Sequence, residues 1–190
     1  MSNLLEVNPL PLATEGLEPV KGDIKSVPED FVVEEIPAYE PCGEGDFIYL
    51  WVEKRDLSSP FMARTLAKAL SIPSVEIGMA GYKDRKALTR QWISLPGHLE
   101  KEIEKIEVEG LKILEKARHK NKLRTGHLHG NKFNILLRAN LDLGSRQKVE
   151  NLVARLKSTG LWNFYGEQRF GKDQETLKIG PVSGAISIVQ

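Results

Sequence analysis

The sequence predicts an α+β fold, in which a mixed and mainly antiparallel sheet packs against helices. Short apolar runs bounded by Pro, Gly and Asp have the length of strands, and two longer segments have the apolar spacing of helices. Helices and strands do not alternate regularly, which argues against a doubly wound parallel sheet. The 190 residues are 41% hydrophobic and 28% charged, so the chain can bury a sizeable core.

Strands are predicted at several places, and proline or glycine limits most of them. Pro37 ends the first and Pro96 ends the fourth. Apolar residues on both faces of the second indicate a central strand. A turn from Gly126 to Gly130 precedes the last. The segments are, in chain order, DFVVEEIPAYEP, GEGDFIYLWVEK, PSVEIGMAGYKD, TRQWISLP, LKILEKARH and Lys132–Arg138.

Helices are predicted in the stretches with apolar residues every three to four positions. The first begins in LSSPFMARTLAKALSI, because Ser58 or Ser59 can cap it and Pro60 suits its first turn. A short charged helix is predicted in HLEKEIEKIEVEG. Another helix, in GSRQKVENLVARLKSTG, ends at Gly160. Its predicted apolar face consists of Val149, Leu152, Val153 and Leu156.

The chain is expected to contain an N-terminal arm at 1–21, a main body at 22–171 and a divergent tail at 172–190. The start lacks the basic and apolar regions of a signal peptide, and no run approaches about 18 apolar residues, so we expect no membrane partner. Cys42 is the only cysteine and cannot form an internal disulfide, which favours a reducing cytoplasm.

Charge is unevenly distributed although the net charge is only +1. Glu29–Glu53 contains eight acids and no Lys or Arg, whereas Lys112–Arg138 contains eight Lys or Arg, three His and one acid. A basic surface on a nearly neutral chain is typical of proteins that bind an anionic partner such as nucleic acid, although a charge run is also the ordinary composition of a solvated face.

Several kinds of active site lack their sequence signatures. His127 and His129 are the only closely spaced metal-ligand pair, without a CxxC or HExxH pattern, so no metal is predicted. Neither a P-loop nor GxGxxG is present, and Cys42 has no evident histidine partner.

Asp84 lies among four cations in AGYKDRKALTRQWISLP, just before a predicted buried strand. Lys83, Arg85 and Lys86 favour its ionised form. A permanent carboxylate suits a nucleophile, a base for an easy proton or an electrostatic stabiliser. The alternative is an ordinary turn or cap aspartate that bonds its own backbone.

Four motifs in this sequence resemble those of the TruD-type pseudouridine synthases. GYKDRKALTRQW is similar to the signature loop of that family, and the other three occur in the family's order. They are KSVPEDFVVEE at Lys25–Glu35, ARHKNKLRTGHLHGNKFNILLR at Ala117–Arg138 and NFYGEQRFG at Asn163–Gly171. The resemblance implies a pseudouridine-synthase-like catalytic domain that isomerises uridine to pseudouridine in tRNA or another structured RNA, without a cofactor.

The resemblance also implies roles for individual residues. Asp84 is the essential carboxylate, either a nucleophile toward the ribose or a base that forms a glycal. Phe31, Asn131 and Phe133 hold the flipped-out base; core or turn positions are the alternatives for them. Weaker candidates are expected to contact the RNA backbone or to support the site. For Lys25 the alternative is a solvated charge, and for Arg169 it is a structural contact between motifs that it would make together with Gln168. The weaker candidates are Lys25, Lys83, Arg85, Lys120, Lys122, Arg124 and Arg169.

Members of the family are markedly longer, and the pattern is lost soon after Gly171. We therefore expect an incomplete catalytic domain and favour a fragment or truncated gene product. A missing C-terminal half from another chain competes with this explanation, and self-association is a further expected partnership. The alternatives are a non-catalytic RNA-binding module and a remnant without a function of its own. An incomplete sheet would expose apolar surface and strand edges.

Overall fold

The computed structural model describes residues 13–139 and 142–160. The chain divides into two compact units, one from Lys21 to Asn140 and one from the flanking segments Met1–Val20 and Leu141–Gln190. The predicted boundaries after residues 21 and 171 stay predictions. No helix among the described residues is both long and apolar enough to cross a membrane.

The unit from Lys21 to Asn140 is built on a mixed, mainly antiparallel sheet, as the sequence predicts. Its strands lie in the order β5-β2-β4-β1-β6, and the short β3 pairs with β4. Only the β1–β4 pair is parallel among these strands. The strands are β1 Phe31–Pro37, β2 Phe47–Arg55, β3 Gly78–Met79, β4 Leu88–Pro96, β5 Leu111–His119 and β6 Leu128–Ile135.

The helices of the described chain are α1 Ser59–Ala69, α2 Glu100–Ile103 and α3 Leu143–Thr159. The side chain of Ser58 caps α1 by accepting a hydrogen bond from the N–H of Phe61, and Pro60 lies in the first turn, as predicted. In the other unit, α3 ends at Gly160 as predicted. Along its predicted apolar face only Val153 is classed as exposed.

The main core lies between α1 and one face of the central strands. Ile48, Leu50 and Val52 of β2 pack with Met62 and Leu66 of α1, and all five are buried. Each such side chain contributes about 1.5–3 kcal/mol when it is removed from water. The opposite face carries a smaller aromatic cluster that includes Tyr49 and Trp92. The sequence prediction that β2 is covered on both faces is confirmed.

The predicted bounds of the last strand are wrong, since β6 runs from Leu128 to Ile135 and not from Lys132 to Arg138. β6 begins at Leu128, inside the predicted turn, because Leu128 pairs with Pro37 beyond a bulge in the β1–β6 ladder. The turn is shorter and contains Gly126, which adopts the left-handed conformation at φ +90° that glycine accepts most easily. Among the described strands β6 lies at an edge of the sheet, and several apolar side chains along it are exposed.

Candidate active site

The loop between β3 and β4 presents Asp84 at the start of β4, next to the start of the parallel strand β1. The Asp84 side chain is 50% exposed, and its Oδ1 lies 3.3 Å from Nζ of Lys25. The same ammonium lies 3.8 Å from the centre of the Phe31 ring. The Lys25 ammonium therefore contacts both the carboxylate that is predicted to react and the Phe31 ring that is predicted to hold the base.

Lys25 reaches this position from an uncommon backbone conformation. Its φ is +60°, in the left-handed region that a lysine seldom occupies. Such strain persists where the surroundings fix the residue, and it concentrates at functional sites. The sequence alternative of a freely solvated lysine is not what this structure shows, because both the carboxylate and the ring hold the side chain.

Phe133 and Asn131 lie on the same face of the sheet as Phe31. Phe133 is opposite Val33 in the β1–β6 register and Asn131 is opposite Glu35, so their side chains share one face. The Phe31 and Phe133 rings meet edge to face with their centres 6.0 Å apart. Phe31 is nearly buried, whereas Phe133 is 54% exposed and leaves an aromatic surface open beside the site.

Of the two roles predicted for Lys83, contact with an RNA backbone and support of the site, the structure favours support, because the Lys83 side chain points into the protein. Its Nζ lies 2.7 Å from Oε2 of Glu35, and the two side chains are only 3% and 0% exposed. The other Glu35 oxygen accepts the backbone N–H of Trp92 at 3.3 Å. Lys83 therefore anchors the loop to β1 and is not available to phosphate.

Arg85 remains at the surface beside Asp84. Its Nε lies 3.5 Å from Oδ1 of Asp56, and its side chain is 71% exposed. An exposed ion pair of this kind is weak, so Arg85 can exchange Asp56 for another anion.

The three predicted cations before β6 lie on the β5–β6 connection and have different environments. Lys120 Nζ lies 2.6 Å from Oε1 of Glu44, Lys122 donates to the carbonyl of Val75, and Arg124 is exposed. The Gly126 N–H donates to the carbonyl of Ala80 at 2.8 Å and fastens the connection to the start of the Asp84 loop.

A cleft of about 560 Å³ lies on this connection. Its lining combines aromatic and imidazole rings with cations, from Tyr39, Phe47, His119, Asn121, Lys122, Arg124 and His127. Burial and the neighbouring Lys120 lower the pKa of His119, and the Nδ1 of His127 is 2.7 Å from the Tyr39 hydroxyl. Within the described ranges, no three His, Cys, Asp or Glu residues are grouped to hold a metal ion.

An ion pair that the sequence did not reveal closes one end of the β1–β6 ladder, where β1 begins and β6 ends. Arg138 donates two hydrogen bonds to the buried Asp30, at 2.8 and 2.7 Å, which hold the pKa of that carboxyl below its ordinary value. This pair keeps Phe31, the next residue, in place. Arg169 and Gln168 lie outside the described residues, so their predicted roles stay predictions.

A crystal structure titled as a putative tRNA pseudouridine synthase D from Methanosarcina mazei is similar at a TM-score of 0.75 and 32% identity, over 85% of this chain and 38% of that one. The family model described as tRNA pseudouridine synthase D (TruD) matches residues 10–182. The chain therefore belongs to the TruD family, which confirms the resemblance and the predicted fold class.

Curated relatives that carry the name tRNA pseudouridine synthase D are also similar to this chain. The protein from Thermus thermophilus is 44% identical over 85% of this chain and 45% of its own length. The protein from Geobacter metallireducens is 42% identical over 88% of this chain and 41% of its own length. The chain thus spans about half the length of the curated relatives it matches.

Proposed function

We propose that this chain isomerises uridine to pseudouridine in tRNA, with Asp84 as the reacting carboxylate. The observation that carries the proposal is the ammonium of Lys25, which lies within 4 Å of both the Asp84 carboxylate and the Phe31 ring in a chain of the TruD family. The relatives' name supplies the substrate class.

The reaction is balanced without a cofactor. The bond between uracil N1 and ribose C1′ breaks, the base turns, and a bond forms between C5 and C1′. The proton on C5 leaves and N1 gains one, so there is no net redox change. Asp84 either attacks C1′ as a nucleophile or removes the C2′ proton as a base, and both roles require an ionised carboxylate. The ammonium of Lys25 lies 3.3 Å from that carboxylate.

The neighbouring side chains supply what an extruded base needs. The exposed face of Phe133, supported by Phe31, offers a stacking surface for uracil. The amide of Asn131 on the same face carries both donors and acceptors, as uracil does. The exposed guanidinium of Arg85 can exchange Asp56 for a phosphate next to the target.

We place the reaction in the cytoplasm. The free thiol of Cys42 is exposed, which suits a reducing compartment.

Label release tests the proposed reaction. The chain is incubated with tRNA that carries tritium at uracil C5, and tritium released into water is counted. We expect time-dependent release with many turnovers. Salt-sensitive tRNA binding without release would instead identify a non-catalytic RNA-binding module.

RNA docking is proposed to use the cations of the β5–β6 connection. Replacement of Lys120, Lys122 and Arg124 by Ala should weaken tRNA binding at low salt. It should also flatten the plot of log affinity against log salt, by up to about one unit for each cation that meets a phosphate. Filter binding over a salt series measures both quantities.

The matched control replaces three exposed lysines outside this connection by Ala, namely Lys101 in α2, Lys105 just after α2 and Lys112 in β5. It removes the same total charge and should change the salt slope much less. If the two triple variants changed the affinity and the salt slope equally, the β5–β6 connection would be ruled out as the docking surface.

We also propose that the exposed side of β6 packs against further polypeptide. Apolar side chains at the end of this edge strand and just after it expose about half of their surface, namely Ile135, Leu136 and Leu137. For the chain by itself, we propose that a second copy of the same chain covers this surface. We therefore expect concentration-dependent dimers in sedimentation velocity. Ile135→Lys should shift the chain to monomer, and a wild-type chain that stays monomeric at all concentrations would refute self-association.

A further inference from the structure

A buried ammonium lies directly behind the Asp84 loop. Lys54, near the end of β2, has no exposed surface. Its Nζ donates to three carbonyl oxygens, those of Leu57 at 2.7 Å, Lys83 at 3.2 Å and Asp84 at 2.7 Å. An ammonium has three N–H donors, so all of them are used. These bonds offset part of the cost of burying the charge.

Two further buried side chains fix the same stretch of backbone. The hydroxyl of Ser59 accepts the N–H of Lys83 at 2.9 Å, and the side-chain amide of Gln91 donates to the carbonyl of Gly81 at 3.2 Å. The backbone from Gly81 to Asp84 is therefore held from β2, α1 and β4, although it is not itself in a helix or strand. Of these three side chains, Lys54 is the one that bonds Asp84 itself.

We propose that Lys54 is the positioning residue for Asp84, which it holds by the main-chain carbonyl so that the carboxylate stays next to the Lys25 ammonium. The proposal rests on the proposed function, because it assigns Asp84 the chemistry. Lys54 does not meet the substrate. Its charge lies behind the loop and is attracted to the Asp84 carboxylate, which raises the pKa of Lys54.

Geometry explains why an apolar side chain could not replace Lys54. Methionine has a similar length and would fill the space, but it would leave three carbonyls without their donor. Two of these carbonyls belong to Lys83 and Asp84, so the loop would be free to move at the position where the reacting atom is presented. A misplacement of about 1 Å at a reacting group can cost 10²-fold in rate.

Burial also makes this contact sensitive to pH. It lowers the pKa of Lys54 to about 8, while the Asp84 carboxylate raises that pKa and the Lys83 ammonium, which is paired with Glu35, lowers it further. Above that pH the neutral amine has two N–H donors for three carbonyls. We therefore expect turnover to fall as the pH rises through about 8.

Stability should change in the opposite direction over the same range. The folded pKa of Lys54 lies below its value of 10.5 in an unfolded chain. Between the two values the unfolded chain binds more protons, so the contribution of Lys54 to the free energy of unfolding increases with pH. A loss of turnover without a loss of stability distinguishes loop positioning from general unfolding.

The test compares wild type, Lys54→Met and Lys112→Met, which alters an exposed lysine on the neighbouring strand β5. Amide hydrogen exchange is followed at Gly81, Lys83 and Asp84 by NMR, together with kcat, KM and the pH profile of label release. In Lys54→Met we expect protection at these amides to fall at least tenfold and kcat to fall by about 10²-fold, with little change in KM. The decline above pH 8 should disappear, and Lys112→Met should match wild type.

Unchanged protection and unchanged kcat in folded Lys54→Met would overturn the proposal. If that variant does not fold, Lys54→Gln, whose amide retains two donors, is measured in the same way. If wild type releases no label at any pH, the proposed function fails, but the exchange of the loop amides still decides whether Lys54 holds Asp84.

Discussion

Asp84→Asn is expected to lower the rate of uridine isomerisation by about 10⁴-fold or more, the scale seen when an enzyme loses an essential nucleophile or base. The amide is nearly the same size, but it neither attacks C1′ nor removes a proton, and it carries no charge to pair with Lys25. Affinity for tRNA should be unchanged or slightly higher, because one negative charge is removed beside the RNA. Label release and filter binding on the same preparation measure the two quantities.

Asp56→Asn is the matched control. Asp56 is also about half exposed, and one cation, Arg85, holds it at 3.5 Å. It has a φ of +48°, a conformation that asparagine accepts readily, so the fold should be preserved. We expect its turnover within a few-fold of wild type. Comparable losses in the two variants would show that general surface charge, and not the Asp84 carboxylate, supports the reaction.

Lys83→Met should destabilise the folded chain by about 3–5 kcal/mol. The substitution leaves the Glu35 carboxylate buried beside an apolar side chain, and an unpaired buried charge is far more costly than a missing surface ion pair. Urea unfolding followed by circular dichroism measures the change in free energy. Lys86→Met, which alters an exposed lysine three residues later in the same loop, should change it by less than about 0.5 kcal/mol.

A second variant identifies the cause of that loss. Glu35→Gln combined with Lys83→Met removes the unpaired buried carboxylate. The oxygen of the introduced side-chain amide can still accept a hydrogen bond from the Trp92 N–H. We expect the double variant to regain at least half of the lost stability. A loss below about 1 kcal/mol in Lys83→Met alone would mean that the pair is energetically equivalent to a solvated one.

Much of the fold follows from patterns that are local in the sequence. Ser58 and Pro60 mark the start of α1, and Pro37 and Pro96 mark the ends of β1 and β4. The start of β6 was misplaced because its pairing with β1 extends past a bulge, which depends on a strand about 90 residues earlier and not on the local glycines. The motif order predicted the family, which the comparisons confirm.

The supporting charges of the site were harder to predict. Lys83 was grouped with its exposed neighbours because four cations surround Asp84, and only the tertiary fold brings Glu35 to it. The strand alternation did contain a signal. Glu35 follows Phe31 and Val33 at every second position, so a carboxylate points to the side of β1 that is buried. In β2, Lys54 likewise follows Leu50 and Val52 at every second position, so its side chain points to the same buried side of that strand.

The most direct test of the central claim is the identity of the product. Bulk tRNA is incubated with the wild-type chain and with Asp84→Asn, digested to nucleosides and analysed for pseudouridine by chromatography and mass spectrometry. The account predicts that pseudouridine increases at the expense of uridine with wild type and does not increase with the variant. Equal pseudouridine from both proteins, or none from a folded wild-type chain that binds tRNA, would contradict the assignment of this chemistry to Asp84.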